Sequence, residues 1–271
     1  MSPRQLRDVV RESRGYGATV RDQPEQRPPP VQKLRMRYAK RGRLRFTSHR
    51  DFGRAFERAL RRAGLPMAYS SGFNPHPRIS YANASPTGAA SEAEYVEIGV
   101  VESCDPADVR ARLDDALPEG LDILEVVVAG PGALADRLEA GRWTVALPGV
   151  DPALAEDAVA AFLAETSVDV QRMTKRGMRA FDCRAAVVRL SVRTDEAAGQ
   201  MCAILDVVVR HGTPAVRPDD ILAGLREIAG LEAPVPPLQT RLAQGPLDPE
   251  TAGVGDPFGP DRDAQADAGD R

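Results

Sequence analysis

The sequence predicts an α+β chain built from two ferredoxin-like (βαββαβ) units in tandem, the second degenerate, with disordered termini. Three observations predict this class. Between about residues 32 and 128 the apolar period runs strand, helix, strand, strand, helix, strand, the order of a split βαβ unit. From residue 143 a similar order restarts, alike in its elements and not in residue identity. At both ends the composition turns polar, proline-rich or acidic, with little to bury. The boundaries follow: an N-terminal arm over 1–31, a first unit over 32–129, a linker over 130–142, a second unit over 143–243 and an acidic tail over 244–271.

Each element has a local cause. Leu34, Met36 and Tyr38 alternate with Arg35 and Arg37, the period of a half-buried strand. Arg41-Gly42 marks a turn, after which Leu44, Arg45 and Phe46 continue the alternation. Ser48 is a helix cap and Asp51 completes a capping-box-like pair. Phe52, Ala55, Phe56, Ala59, Leu60 and Ala63 recur at helical spacing. Arg50, Arg54, Arg58, Arg61 and Arg62 fall on the other side, and Gly64 with Pro66 stops the helix. Residues 67–69 read as a short strand. Residues 70–90 form a loop with an extended piece at 79–82, and 95–101 as the next strand. Asp105-Pro106 opens a helix, an Asp cap followed by Pro at the first helical position, and 121–128 closes the unit. In the second half, 143–147 is a strand and Asp151-Pro152 repeats the helix opening. Strands follow at 168–173, 181–192 and 202–209, and Pro218 opens a last helix.

Charge is concentrated. The 271 residues are formally −3, yet residues 33–62 hold twelve Lys and Arg against two acids, Asp51 and Glu57. No apolar run approaches the roughly 20 residues of a membrane span. The N-terminus lacks the apolar core of a signal peptide, so the cytoplasm is the expected location. Cys104, Cys183 and Cys202 are dispersed, with no CxxC and no CxxxCxxC. No HExxH or carboxylate cluster is present either, so no metal site is expected. GxxxxGK[ST] and GxGxxG are also missing, which removes the nucleotide-binding folds they mark.

Arg35, Arg37, Arg43, Arg45, Arg54, Arg58, Arg61 and Arg62 are the candidate nucleic-acid-binding residues. Guanidinium groups pair bidentately with phosphate oxygens, and each phosphate neutralised releases counterions. The plain alternative is a solvated charged face. Tyr38 shares the parity of Leu34 and Met36 and belongs in the core; Tyr81 is free to stack. In GFNPHP, Asn74-Pro75 and His76-Pro77 fix successive φ angles. That braces Phe73, Asn74, His76 and Arg78 for recognition, although Phe73 is expected to pack and not to stack on a base. His49 and His76 are candidate acid and base for RNA cleavage, or else local structural residues. Glu92 and Glu94 could place a carboxylate near the basic helix, as an ion-pair partner or, on the lesser reading, as a general base or metal ligand. The acidic tail is expected to be a solubilising end.

FTSHRDFGRAFERALRRAGLPMAYSSGFNPHPRISYA, followed by SPTGAASEAEYVEI, resembles the radical SAM-linked uncharacterised family with the DUF2344 domain. The likeness spans roughly residues 32–230, is densest over 44–98, and is most specific in RALRRAGLP, GFNPHP and SEAEY. Arg50 departs from it, standing where the family has an apolar residue. The resemblance implies a partner, a radical SAM protein that would use S-adenosylmethionine and an iron–sulfur cluster. This chain lacks the cluster motif and is expected to bind no cofactor itself. The leading expectation is an RNA-binding accessory protein presenting RNA or a ribosome-related substrate to that enzyme. Two alternatives stand beside it: a metal-independent RNA-processing enzyme using His49 and His76, and a protein-docking module without nucleic acid.

Overall fold

The first alternation of the sequence becomes the strand on which the N-terminal half is laid out. In β1 (Gln32–Lys40), Leu34, Met36 and Tyr38 are buried on one side. β1 pairs antiparallel with β3 (Ala90–Val100) and, on its other edge, with β4 (Ile123–Val128). The short β2 (Ile79–Ala82) pairs antiparallel with β3. Helices α1 (His49–Arg62) and α2 (Pro106–Ala116) cover the Leu34 face, and Phe52, Phe56, Leu60, Val109 and Leu113 close that core. Ser48 caps α1 by accepting from the Asp51 N–H, and Asp105 caps α2 by accepting from the Asp108 N–H. The computed structural model describes residues 26–174, 177–197 and 200–269.

The second half continues the sheet and carries a separate hairpin. β5 (Ala140–Pro148) pairs antiparallel with β9 (Gln200–Arg210), which pairs antiparallel with β8 (Val187–Ala197). α3 (Pro152–Ala164) and α4 (Pro218–Ala229) pack on this part around Phe162, Ile221 and Leu225. β6 (Asp169–Thr174) and β7 (Gly177–Asp182) form a separate hairpin. β10 (Leu238–Gly245) pairs antiparallel with β5 and parallel with β3, so the two halves share one eight-stranded sheet ordered β4-β1-β3-β10-β5-β9-β8, with β2 beside β3. The chain is thus a mixed α/β fold with a large mixed sheet and, among the described residues, five helices. Among those residues no helix is long and apolar enough to cross a membrane.

Several expectations are corrected. Residues 42–46 do not extend a strand. Gly42 sits at φ +53°, and the Leu44 N–H then bonds the Arg41 carbonyl, winding Gly42–Phe46 into a 3-10 turn. Residues 67–69 make only isolated bridges. The strand expected over 181–192 is broken because the Asp182 carboxylate accepts from the N–H groups of Val168 and Arg184 and ends β7 there. The linker expected over 130–142, which the sequence allows a short helical turn, does hold one (a 3-10 turn, Leu134–Arg137), but Leu134 and Leu138 are buried and β5 already begins at Ala140.

Residues 245–269 of the expected acidic tail are folded onto the sheet. β10 runs to Gly245, β11 (Leu247–Asp248) pairs with β12 (Gly253–Val254), and α5 (Gly259–Gly269) follows. Phe258 is fully buried against Tyr95, their ring centroids 5.3 Å apart. A few apolar plugs in an acid-rich segment suffice when the carboxylates meet arginines of the sheet. The N-terminal arm lies mostly outside the described residues. Its last part is tied down: the Arg27 N–H bonds the Ser71 hydroxyl and the Val31 N–H bonds the Val100 carbonyl.

Candidate nucleic-acid interface

The basic stretch separates into two populations. In β1, Arg35 points away from the Leu34 core and is still only 2% exposed, because the tail lies over it. Its guanidinium donates to Glu97 at 2.9 Å, to the fully buried Asp261 at 2.6 Å and to the Gly132 carbonyl. Arg137 donates to the other oxygen of Asp261 at 2.9 Å. Arg37 pairs with Glu125 at 3.5 Å. Arg62 donates to the Ala116 carbonyl and ties α1 to α2. Of the candidate phosphate contacts, Arg35 and Arg37 are thus paired with carboxylates of the same chain, while Arg62 stays exposed with one N–H on a carbonyl.

The second population is free. Arg43, Arg54, Arg58 and Arg61 are exposed and, among the described residues, make no hydrogen bond or ion pair. Arg50, which is not among the candidate binding residues named from the sequence, belongs with them. At 100° per residue, positions 50, 54, 58 and 61 fall within roughly 80° of one another, so they make one stripe opposite the buried Phe52, Phe56 and Leu60. Arg45 lies over the Phe46 ring, 4.7 Å from its centroid.

Beside this stripe runs the GFNPHP segment. It is braced by hydrogen bonds as well as by its prolines. The Ser70 N–H donates to the His76 carbonyl, the His76 N–H donates to the Ser70 hydroxyl, and the Arg78 N–H donates to the Ala68 carbonyl. Arg78 also donates from its side chain to the Tyr69 carbonyl. Asn74 and His76 are exposed, and Phe73 is 68% exposed at the tip. The expectation that Phe73 packs is therefore corrected: the tight bend leaves nothing for it to pack on.

His49 and His76 are not brought together. His49 meets the edge of Tyr81, centroids 4.8 Å apart, at the first turn of α1. His76 lines a groove with Glu57, Leu60 and Arg61. At 1.5 Å rise per residue those positions lie about 12–18 Å further along the helix. Between them Tyr81 fits over Gly53, where a Cβ would stand 3.4 Å from its hydroxyl. Among the described residues that hydroxyl is buried without a hydrogen-bond partner. Burial, then the Glu57 carboxylate, pushes its pKa up to about 12.

Glu92 and Glu94 do form ion pairs, but not with the basic helix. Glu92 takes Arg41, the Arg41 Nε at 2.7 Å, and Glu94 takes Arg241 of β10 in a buried pair at the joint of the two half-sheets. Tyr38 is buried and stacked on Phe52 at 4.3 Å. Cys183 and Cys202 are buried and Cys104 half-buried, all as free thiols. Among the described residues no group of three or more His, Cys, Asp or Glu is placed to hold a metal ion.

The geometry defines a mixed α/β protein with an unpaired cationic helix face beside a braced loop. The chain belongs to the DUF2344 family, described as uncharacterized protein conserved in bacteria, whose model matches residues 33–218. No match is found among curated proteins. Among solved structures, an unknown protein from Galdieria sulphuraria is 13% identical, with 78% of this chain and 98% of that chain covered and a TM-score of 0.23. A Cbf5-Nop10-Gar1 complex gives 12% identity, 82% and 56% coverage and a TM-score of 0.37. DyPB from Rhodococcus jostii RHA1 gives 11% identity, 85% and 97% coverage and a TM-score of 0.20. These likenesses are too distant to bear on fold or function.

Proposed function

We propose that this chain is a cytoplasmic RNA-binding accessory protein that holds RNA, or a ribosome-related substrate, for a separate radical SAM enzyme. The supporting observation is the stripe Arg50, Arg54, Arg58 and Arg61: exposed guanidinium groups on one helix face that, among the described residues, make no ion pair, although Asp51 and Glu57 lie on the same side of the helix. Arginines elsewhere in the stretch are held by Glu97, Asp261, Glu125 and Glu92, so the stripe stands out against a molecule that otherwise pairs its charge. The enzyme partner rests on the family resemblance of the sequence, and the S-adenosylmethionine and cluster would be that partner's. We also read each half as a ferredoxin-like unit, since β4-β1-β3-β2 and β10-β5-β9-β8 both follow the order fourth, first, third, second, with β6–β7 inserted in the second.

RNA affinity measured against salt tests this. Four phosphate contacts to a single strand give a slope of log K against log salt of about −2.8, at roughly −0.7 per contact. Arg54→Ala with Arg58→Ala is expected to bring the slope to about −1.4. No measurable RNA binding by the wild type at low salt would refute the reading. A radical SAM protein recovered with this chain from a lysate would support the second half of it.

A further inference from the structure

We infer that the groove between α1 and residues 67–77 is a base pocket selective for guanine, with Glu57 reading the Watson–Crick edge; this rests on the RNA-binding reading above. The groove has a volume of about 250 Å³. Drug-sized ligands take pockets of roughly 300–1,000 Å³, so this one suits a single planar ring system. Leu60 and Met67 form its apolar floor, while Tyr69 and His76 supply rings on which a base can stack. The Tyr69 ring is itself backed by the Arg27 guanidinium, 5.5 Å from its centroid.

Glu57 is the informative residue. It is half-buried in a cationic neighbourhood, with Arg58 adjacent in sequence and Arg61 one turn on. Even so, among the described residues its carboxylate makes no hydrogen bond and no ion pair within 4.0 Å. An ionised carboxylate only accepts hydrogen bonds, and it accepts two in parallel. Guanine presents two adjacent donors, N1–H and the N2 amino group. Adenine and cytosine each pair one amino donor with a ring acceptor, and uracil sets its one N–H between two carbonyls. Guanine is therefore the base whose edge leaves no acceptor facing the carboxylate. Arg61, exposed and lining the same groove, is available to take a flanking phosphate.

The test is fluorescence anisotropy at low salt with labelled heptamers: all-U, and U-tracts with one central G, A, C or inosine. Wild type is expected to prefer the G heptamer over all-U by about 5- to 150-fold, the range for one good bidentate contact. Inosine, lacking the N2 amino group, is expected to lose most of that preference. Glu57→Gln is expected to bring G to within twofold of all-U, with all-U binding unchanged or tighter because a negative charge is gone. Equal binding of all five heptamers, or a preference for A or C, overturns the pocket while leaving RNA binding intact. A Glu57→Gln variant that keeps the full G preference also overturns it. Failure of every heptamer to bind overturns this inference together with the reading it rests on.

Discussion

Replacing Asp261 with Ala removes the buried anion that joins the C-terminal segment to the sheet. In the native chain its carboxylate accepts from Arg35 at 2.6 Å, from Arg137 at 2.9 Å and from the Gly130 N–H at 2.8 Å. Breaking a buried pair by deleting one partner costs about 3–5 kcal/mol, because the remaining charge is left buried and uncompensated. Arg35 keeps Glu97, and Arg137 keeps the carbonyls of Pro131 and Pro257, so the lower end, about 3 kcal/mol, is expected here. With a urea m-value of about 3 kcal/mol per M, the midpoint falls by about 1 M. The assay is urea unfolding followed by far-UV circular dichroism. Asp263→Ala is the control, an exposed acid two residues away in the same helix, expected within about 0.5 kcal/mol of wild type. If Asp261→Ala unfolds at the control's midpoint, the tail is not held by this cluster and the account of Arg35 as a structural arginine is wrong.

Two further outcomes follow from other buried groups. Burial pushes the Glu94 carboxyl up, but Arg241, the Ser91 hydroxyl and the Ser85 N–H outweigh it, and its pKa lies below the ordinary 4.5. A depressed carboxyl stabilises the fold above its unfolded pKa and loses that contribution as pH falls toward the folded one. Glu94→Gln should therefore flatten the acid limb of the stability–pH curve below 4.5 and cost about 3–5 kcal/mol at neutral pH by stranding Arg241; an unchanged acid limb would contradict this. Burial, with smaller contributions from nearby aspartates, pushes the Cys183 thiol up to about 12. It should resist a maleimide at pH 7 in the folded protein and react in denaturant, read by mass spectrometry; rapid labelling of Cys183 in the native state would contradict its placement.

What the sequence made legible is what local chemistry decides. Ser48 with Asp51, Asp105-Pro106, Asp151-Pro152 and Pro218 each set a helix start within a few residues, and the α1 stripe follows from spacing alone. The sheet pairing that unites the halves was not legible. LQTRLAQG of β10 carries no strand period, and its Arg241 is buried only because Glu94, 147 residues earlier, neutralises it. The same holds for Arg35, whose partner Asp261 is 226 residues away. A strand pattern says which side chains point outward; it cannot say what will later lie on top of them. Glu57 was noticed only as an exception in the charge count. The signal that it lines a groove was its place one turn before Arg61, on the side of α1 facing the proline segment.

The seam between β3 and β10 also orders events during synthesis. Thr240 and Arg241 lie beside Ala90 and Ser91 in the middle of the sheet, so a strand made well after β3 and β5 occupies a central slot between them. Until it arrives, the flanks of β3 and β5 that it will cover stand bare, and such edges invite pairing with other chains. A polypeptide truncated before residue 238 would thus carry two adhesive borders and not a pair of sound halves.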